Sequence, residues 1–421
     1  MLERSTDSTP KSASIRPQRR LRPPEALLGA VLDQIISRGT LVITFPSGDQ
    51  RRFGDNAEPA VNVALKEASA LGRLMANAEL ALGELYTDGV IAIDGDDIDS
   101  LLAIILQNLR RHGFKTGAAP AGMRLFEAPR REINDRKRAE RNVAHHYDIS
   151  NELYRLFLDE DLQYSCAYYE TGAETLEEAQ DAKKELIAAK LCLRPGLSVL
   201  DIGCGWGGLA LHLAHTRGVN VRGITLSQAQ LPVARVRAQA RNLAAQAEFV
   251  LEDYRETKGA FDRIVSVGMF EHVGRGHYDE FFRQIASLLA EDGVALLHTI
   301  GRADGPGATS PWIDRYIFPG GYIPALSEIV PAVERAGLYV TDIEVWRLHY
   351  AYTLRAWRER FEARLDDVRA MFDERFCRMW RFYLAASEAA FRYGGHEVFQ
   401  IQLARRQDAV PRTRRYLERA G

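Results

Sequence analysis

A chain of 421 residues, 46% hydrophobic and 27% charged, is too long for one ordinary domain and apolar enough to bury more than one core. Its 55 basic and 57 acidic residues leave a formal charge of −2, and no nucleic-acid partner is expected. No run approaches the roughly 18 apolar residues of a membrane span, the longest candidates being LLAIIL at 101–106 and IVSVGMF at 264–270. Cysteines at 166, 192, 204 and 377 have neither metal-ligand nor disulfide-framework spacing, so a reducing, cytoplasmic setting without a metal site is expected.

Residues 1–24 are polar, basic and proline-bearing and are predicted to be a disordered tail. A small α+β domain is expected over 25–114. It opens with a helix from Glu25 to Arg38, continues with a hairpin around Ser47-Gly48-Asp49 in LVITFPSGDQRRF, and includes an amphipathic helix from Asp97 to Arg111. A Gly, Ala, Pro and Arg-rich stretch then marks a linker over 115–141. Beyond it lies a larger domain over 142–421, with apolar strands at 199–203, 221–225, 247–251, 262–270 and 293–301 separated by helices. This alternation predicts an α/β fold, a mostly parallel doubly wound sheet with its ligand at the carboxyl ends of the strands. A long helical pattern from Tyr352 to Arg392 is expected to cap that edge. Basic clusters in the tail, between Arg124 and Arg141, and from Arg405 to Arg419 suit either an anionic membrane surface, at roughly 1 kcal/mol per residue, or plain solvated segments.

The stretch from Leu197 to Ala210, LSVLDIGCGWGGLA, is a strand, a turn with glycines at 203, 205, 207 and 208, and a helix start. Its spacing satisfies G-x-G-x-x-G, a loop used by dinucleotide enzymes and by S-adenosylmethionine enzymes alike. The following strand and turn, VNVRGITLSQAQ at 219–230, contain no carboxylate, so the acidic ribose clamp of an NAD site is missing. Thr225, Ser227 and Gln230 are left to serve.

LDIGCGWGGLA, then GITLSQAQ at 223–230, then SVGMFEHVG at 266–274 resemble the cyclopropane-fatty-acyl-phospholipid synthase family, to which the mycolic acid cyclopropane synthases are close. The likeness extends to NVAHHYDISNELYRLFLDEDLQYSCAYY at 142–169, LLHTIG at 296–301, YIFPGGYIP at 316–324 and HYAYTLRAW at 349–357. LGELYTDGVIAI at 82–93 resembles the N-terminal domain of the phospholipid-acting members and suggests lipid handling. The resemblance implies a Rossmann-like class I methyltransferase with a helical cap. It would move the methyl group of S-adenosylmethionine to a cis double bond of an unsaturated phospholipid, forming a cyclopropane ring through a carbocation deprotonated with the help of bicarbonate. It further implies a homodimer held peripherally at the inner face of the membrane.

On the same resemblance, Glu271, His298, Tyr350 and backbone groups of Cys166 and Ile300 would hold the bicarbonate. Tyr164 and Ser165 would approach the methionine portion of the cofactor, Gly203, Cys204 and Gly205 its backbone-facing side, Thr225 and Gln230 the ribose, and Tyr254 the adenine. Each has a plainer reading: Glu271 as a helix cap, His298 as a core histidine, Tyr350 and Tyr254 as packing, and Cys166 as a small buried hydrophobe. Where some relatives carry a cysteine once regarded as catalytic, this chain has Ser387. Phe372, Phe376, Trp380, Phe382 and Tyr383 would line an acyl channel or pack a core. The alternative closest in chemistry is a fatty-acid C-methyltransferase giving a methyl-branched or methylene product; a nicotinamide oxidoreductase, a non-catalytic lipid-binding protein and a small-molecule methyltransferase stand further off.

Overall fold

The computed structural model describes residues 22–113 and 150–417; residues 1–21 of the expected basic tail, the linker and residues 142–149 of the family-like segment lie outside them, whereas Pro23 and Pro24, expected in that tail, belong to a helix. The first unit contains α1 (Pro23–Ile35), β1 (Thr40–Thr44), β2 (Gln50–Gly54), β3 (Val61–Leu65), α2 (Ser69–Ala76), α3 (Ala78–Thr87), β4 (Ile91–Ile93) and α4 (Ile98–Arg111). Two prolines open α1, where no amide is missed. Glu25 in its first turn accepts from the amides of Arg22 at 3.1 Å and Ser47 at 3.0 Å, pinning the helix to the β1–β2 turn. The four strands form one sheet in the order β2-β1-β3-β4, with β1 and β2 antiparallel as the hairpin required.

The second unit begins with α5 (Asn151–Phe157) and α6 (Leu176–Lys190), and then alternates β5 (Ser198–Ile202), α7 (Gly208–Arg217), β6 (Asn220–Thr225), α8 (Gln230–Ala240), β7 (Ala247–Leu251), β8 (Phe261–Val267), α9 (Tyr278–Leu288) and β9 (Leu289–Arg302). Strands β5 to β9 are parallel, and their near-continuous apolar runs reflect burial on both faces. The remainder is α10 (Pro311–Tyr316), α11 (Leu326–Arg335), β10 (Tyr339–Trp346), α12 (His349–Ala363), α13 (Leu365–Met371), α14 (Glu374–Tyr393) and β11 (His396–Ala404). The seven strands are ordered β10-β11-β9-β8-β5-β6-β7, with β11 antiparallel to both neighbours.

Two features differ from the sequence expectation. The single helical pattern from Tyr352 to Arg392 is three helices. The second break falls at Asp373, whose side chain accepts the Phe376 amide at 2.7 Å and so starts α14 afresh. Strands β10 and β11 were not foreseen. Among the described residues, no helix is long and apolar enough to cross a membrane.

Helix α14 joins the two units. The Arg378 guanidinium stands 4.2 Å from the centre of the Tyr86 ring and donates to the Tyr86 carbonyl at 2.7 Å. Arg381 bridges Asp96 of the first unit and Glu362 of the second. Arg381 is largely shielded from solvent, so its removal leaves Glu362 without its cation and Asp96 with only Arg378, 3.8 Å away. Arg381→Leu is expected to lower stability by about 2–3 kcal/mol at neutral pH, read by urea titration; an unchanged midpoint would show that the bridge contributes nothing.

Candidate active site

The strand order reverses between β5 and β8, so the loops leaving those two strands flank a crevice. After β5 the chain turns through Gly203, Gly205 and Gly207, all at positive φ. At Gly207, with φ of +80°, a Cβ would come within 2.7 Å of the Phe249 ring, so the loop closes only on glycine here. The amides of Gly203 and Cys204 both donate to the Ile224 carbonyl, at 2.9 and 3.0 Å, tying the loop to β6.

One pocket gathers Tyr164, Ser165, Gly203, Cys204, Gly205, Thr225, Gln230 and Tyr254, every residue expected at the cofactor. Ser227 is instead part of the turn itself: its amide donates to Thr225 Oγ1 at 3.1 Å and its hydroxyl accepts the Gln230 amide at 3.2 Å. The Tyr254 ring meets Phe281 edge-on, with centroids 5.3 Å apart. Glu252 and Asp253, following β7, and Asp201 on β5 also line the pocket. Asp201 is buried with its Oδ2 unpartnered, and burial pushes its carboxyl up to about 7. The acidic residues lining this pocket thus stand on β5 and after β7.

Glu271 sits in the short turn Phe270–His272 that follows β8. Its Oε1 accepts the Ile300 amide at 2.7 Å, while Oε2 is buried without a hydrogen-bond partner. Burial pushes this carboxyl up to about 7, against the opposing pull of the Ile300 amide and the nearby Thr299 hydroxyl. The Ile300 amide is therefore engaged by Glu271.

His298, on β9 beside Val267 of β8, is 2% exposed. Burial, with the charges of Lys183 and Lys190, holds its imidazole well below the usual pKa and hence neutral. Tyr350 opens α12 and packs against Phe391 at 4.8 Å and edge-on against Trp357 at 5.8 Å. The Cys166 thiol is fully buried and its pKa is raised by that burial, so no thiolate is available near neutral pH.

Helix α6 holds the segment bearing Tyr164, Ser165 and Cys166. Gln180 donates to the carbonyls of Gln163 at 3.3 Å and Ser165 at 3.0 Å, and Lys183 Nζ donates to Gln163 Oε1 and Ser165 Oγ at 2.8 Å each. Lys183 is fully buried, and burial pulls its pKa down to about 7. Sequence reasoning missed it, although a lysine on the same helix face as Leu176, Ala179 and Ile187 was a readable signal. The late aromatic residues divide. Tyr383 places its hydroxyl 2.7 Å from that of Tyr164, whereas Phe382 turns away to Trp312, 4.6 Å off, and Tyr86.

A mostly parallel seven-stranded sheet with β11 antiparallel inside it, a glycine turn after β5 and a pocket at the strand reversal defines a class I S-adenosylmethionine-dependent methyltransferase. The fold matches that of a mycolic acid cyclopropane synthase solved with SAH and CTAB, at a TM-score of 0.60 and 35% identity over 63% of this chain and 97% of that one. The chain belongs to the mycolic acid cyclopropane synthetase family, which matches residues 134–401. A domain of unknown function matches residues 28–113. The chain is 39% identical over 352 residues to the cyclopropane-fatty-acyl-phospholipid synthase of Escherichia coli, covering 83% of this chain and 89% of that protein. It is 40% identical over 285 residues to a tuberculostearic acid methyltransferase of Mycobacterium tuberculosis, covering 65% of this chain and 66% of that one.

Proposed function

We propose that this protein transfers the methyl group of S-adenosylmethionine to the cis double bond of an unsaturated acyl chain in a membrane phospholipid and closes a cyclopropane ring. The observation that carries the reading is Glu271: a buried carboxyl with one oxygen fixed by Ile300 and the other unpartnered, held against the strand that also carries the neutral His298. When bound, S-adenosylmethionine supplies an electrophilic methyl carbon, and bicarbonate supplies the base for the proton whose loss closes the ring.

The residues fit both groups. Asp201 Oδ2, buried and unpartnered, suits the cofactor's ammonium, with Tyr164 and Ser165 along the methionine portion and Gly203, Cys204 and Gly205 behind it. Thr225 and Gln230 face the ribose and Tyr254 the adenine. A carboxylate beside an anion repels it unless a proton lies between them. Glu271 Oε2 therefore suits an oxyanion that still carries one O–H, as bicarbonate does, and His298, the Tyr350 hydroxyl and the backbone of Cys166 would help to hold it. An alkene is a weak nucleophile and leaves a cation that water would capture, so the dry walls of Tyr164, Trp357, Trp380 and Tyr383 protect it.

The first unit handles lipid in this reading, and a homodimer works peripherally at an anionic membrane surface on its cytoplasmic side. Identity to the tuberculostearic acid methyltransferase supports a second reading, a fatty-acid C-methyltransferase giving a methylene or methyl-branched product by a different proton loss.

The test incubates the protein with methyl-labelled S-adenosylmethionine and vesicles of cis-monounsaturated phospholipid. Labelled chains with upfield ring protons are expected. Labelled chains with methylene or olefinic signals select the second reading, and unlabelled lipid overturns both. Stripping bicarbonate from the buffer is expected to depress turnover and its return to restore it.

A further inference from the structure

We infer that Gln400 and Lys190 are positioning residues that fix His298 as the tautomer with its proton on Nε2, so that the imidazole enters the site as a hydrogen-bond donor. The inference rests on the anion site proposed above only for what that donor meets. Gln400 lies on β11 directly opposite His298 in the strand register. Its side chain is fully buried between two groups: Lys190 Nζ stands 2.7 Å from Oε1, and Nε2 stands 3.1 Å from His298 Nδ1.

The direction of every bond in this row is set from its far end. An ammonium has donors and no acceptor, so the oxygen of Gln400 must face Lys190. Lys190 is itself anchored as a cation by an ion pair with Glu344 of β10. With the oxygen so placed, the amide NH2 faces the imidazole, and an NH2 only donates. Nδ1 must then accept and carries no proton. Burial and the charges of Lys183 and Lys190 keep the ring neutral, so its one proton is on Nε2. The row is also closed at the next inward position of β11, where Gln402 donates to the Lys190 carbonyl and, at 3.0 Å, to the Tyr416 hydroxyl.

Packing alone does not account for this arrangement. Lys190 and Gln400 are fully buried, where apolar side chains of similar size would avoid the desolvation of a cation and an amide. What the polar row adds is a fixed orientation for one imidazole. A donor at Nε2 suits an anion's oxygen and prevents His298 from acting as a base through that nitrogen.

The measurement is nitrogen-detected NMR of the full chain labelled with 15N-histidine, with His298 assigned by the signals lost in His298→Gln. The expected spectrum has a protonated Nε2 and an unprotonated Nδ1. In Gln400→Glu the new carboxylate still accepts from Lys190 but demands a proton on Nδ1. That variant is expected to show Nδ1–H and to lose about 10–100-fold in turnover, with S-adenosylhomocysteine affinity unchanged. A wild-type Nδ1–H signal, or a folded Gln400→Glu variant with its proton on Nε2 alone, overturns the inference; should the variant not fold, the wild-type spectrum decides by itself. If turnover proves independent of bicarbonate, the anion reading fails and the tautomer is still decided by the same spectrum.

Discussion

Glu271→Gln is expected to lose about 1000-fold or more in turnover, on the order of 4 kcal/mol of transition-state stabilisation, while becoming more stable than the native chain above neutral pH. The amide keeps an oxygen for the Ile300 N–H, so local geometry is retained, but it removes the negative charge from the reacting centre. The stability gain follows from the raised carboxyl. Glu271 titrates near 7 in the folded protein and near about 4.3 in the unfolded chain, so the unfolded state ionises first as pH rises. Its contribution is complete below about pH 4.3 and is lost as pH climbs through 7, amounting to about 3–4 kcal/mol. Glutamine has no such titration, although its NH2 enters a site without a partner, which returns about 1–2 kcal/mol of that gain. Asp201 and Lys183, also shifted to near 7, titrate alike in both chains, so urea titrations at about pH 5 and about pH 8 should show the native chain losing more stability over that interval than the variant, while calorimetry shows unchanged S-adenosylhomocysteine binding. Turnover within about tenfold of native would remove Glu271 from the mechanism.

Gly301→Ala should have the opposite signature, losing stability and activity together. A Cβ at Gly301 would lie 2.0 to 2.6 Å from three atoms of the Phe399 ring, which is fully buried on β11. That ring belongs to the cluster containing Ile329, Ala332 and Val333, and it cannot retreat without opening the cluster. The added methyl must either expel the ring or part β9 from β11 next to Ile300, whose amide holds Glu271. The expected cost is about 2–4 kcal/mol, read as a fall in Tm, with turnover down by at least about tenfold because the carboxylate loses its anchor. A variant with native Tm would show that the ring has room that the packing does not reveal.

What the sequence made legible was local. The parallel strands read as short apolar runs, the glycine turn as a loop against a ligand, and the β1–β2 hairpin from Ser47-Gly48-Asp49. Glu271, directly after an apolar strand, and His298, inside an apolar run, were picked out by the family resemblance; on local pattern alone they read as a helix cap and a core histidine. The breaks at Arg364 and Asp373 were missed because the apolar residues on either side keep a helical spacing, and only the cap at Asp373 marks the restart. Strand β11 alternates Gln400 and Gln402 with Ile401 and Leu403, a two-residue period that was present but reads as surface until the partners of the glutamines are known. Those partners, Lys190 and His298, lie 210 and 102 residues away, and no local pattern encodes such a meeting. The fold was thus readable wherever neighbours in sequence decide it, and the support of the site was not.

The place of β11 in the sheet has a consequence for the making of the protein. Later in the chain than every other described strand, it lies between two that precede it, β9 and β10. Until the ribosome has passed Ala404, β9 presents an unpaired apolar edge carrying His298, and β10 has no strand to pair with. Closing this part of the sheet joins residues about a hundred positions apart, a slow kind of contact to form. A growing chain can therefore complete its glycine loop and first parallel strands early, yet it brings Gln400 against His298 only once β11 has been made.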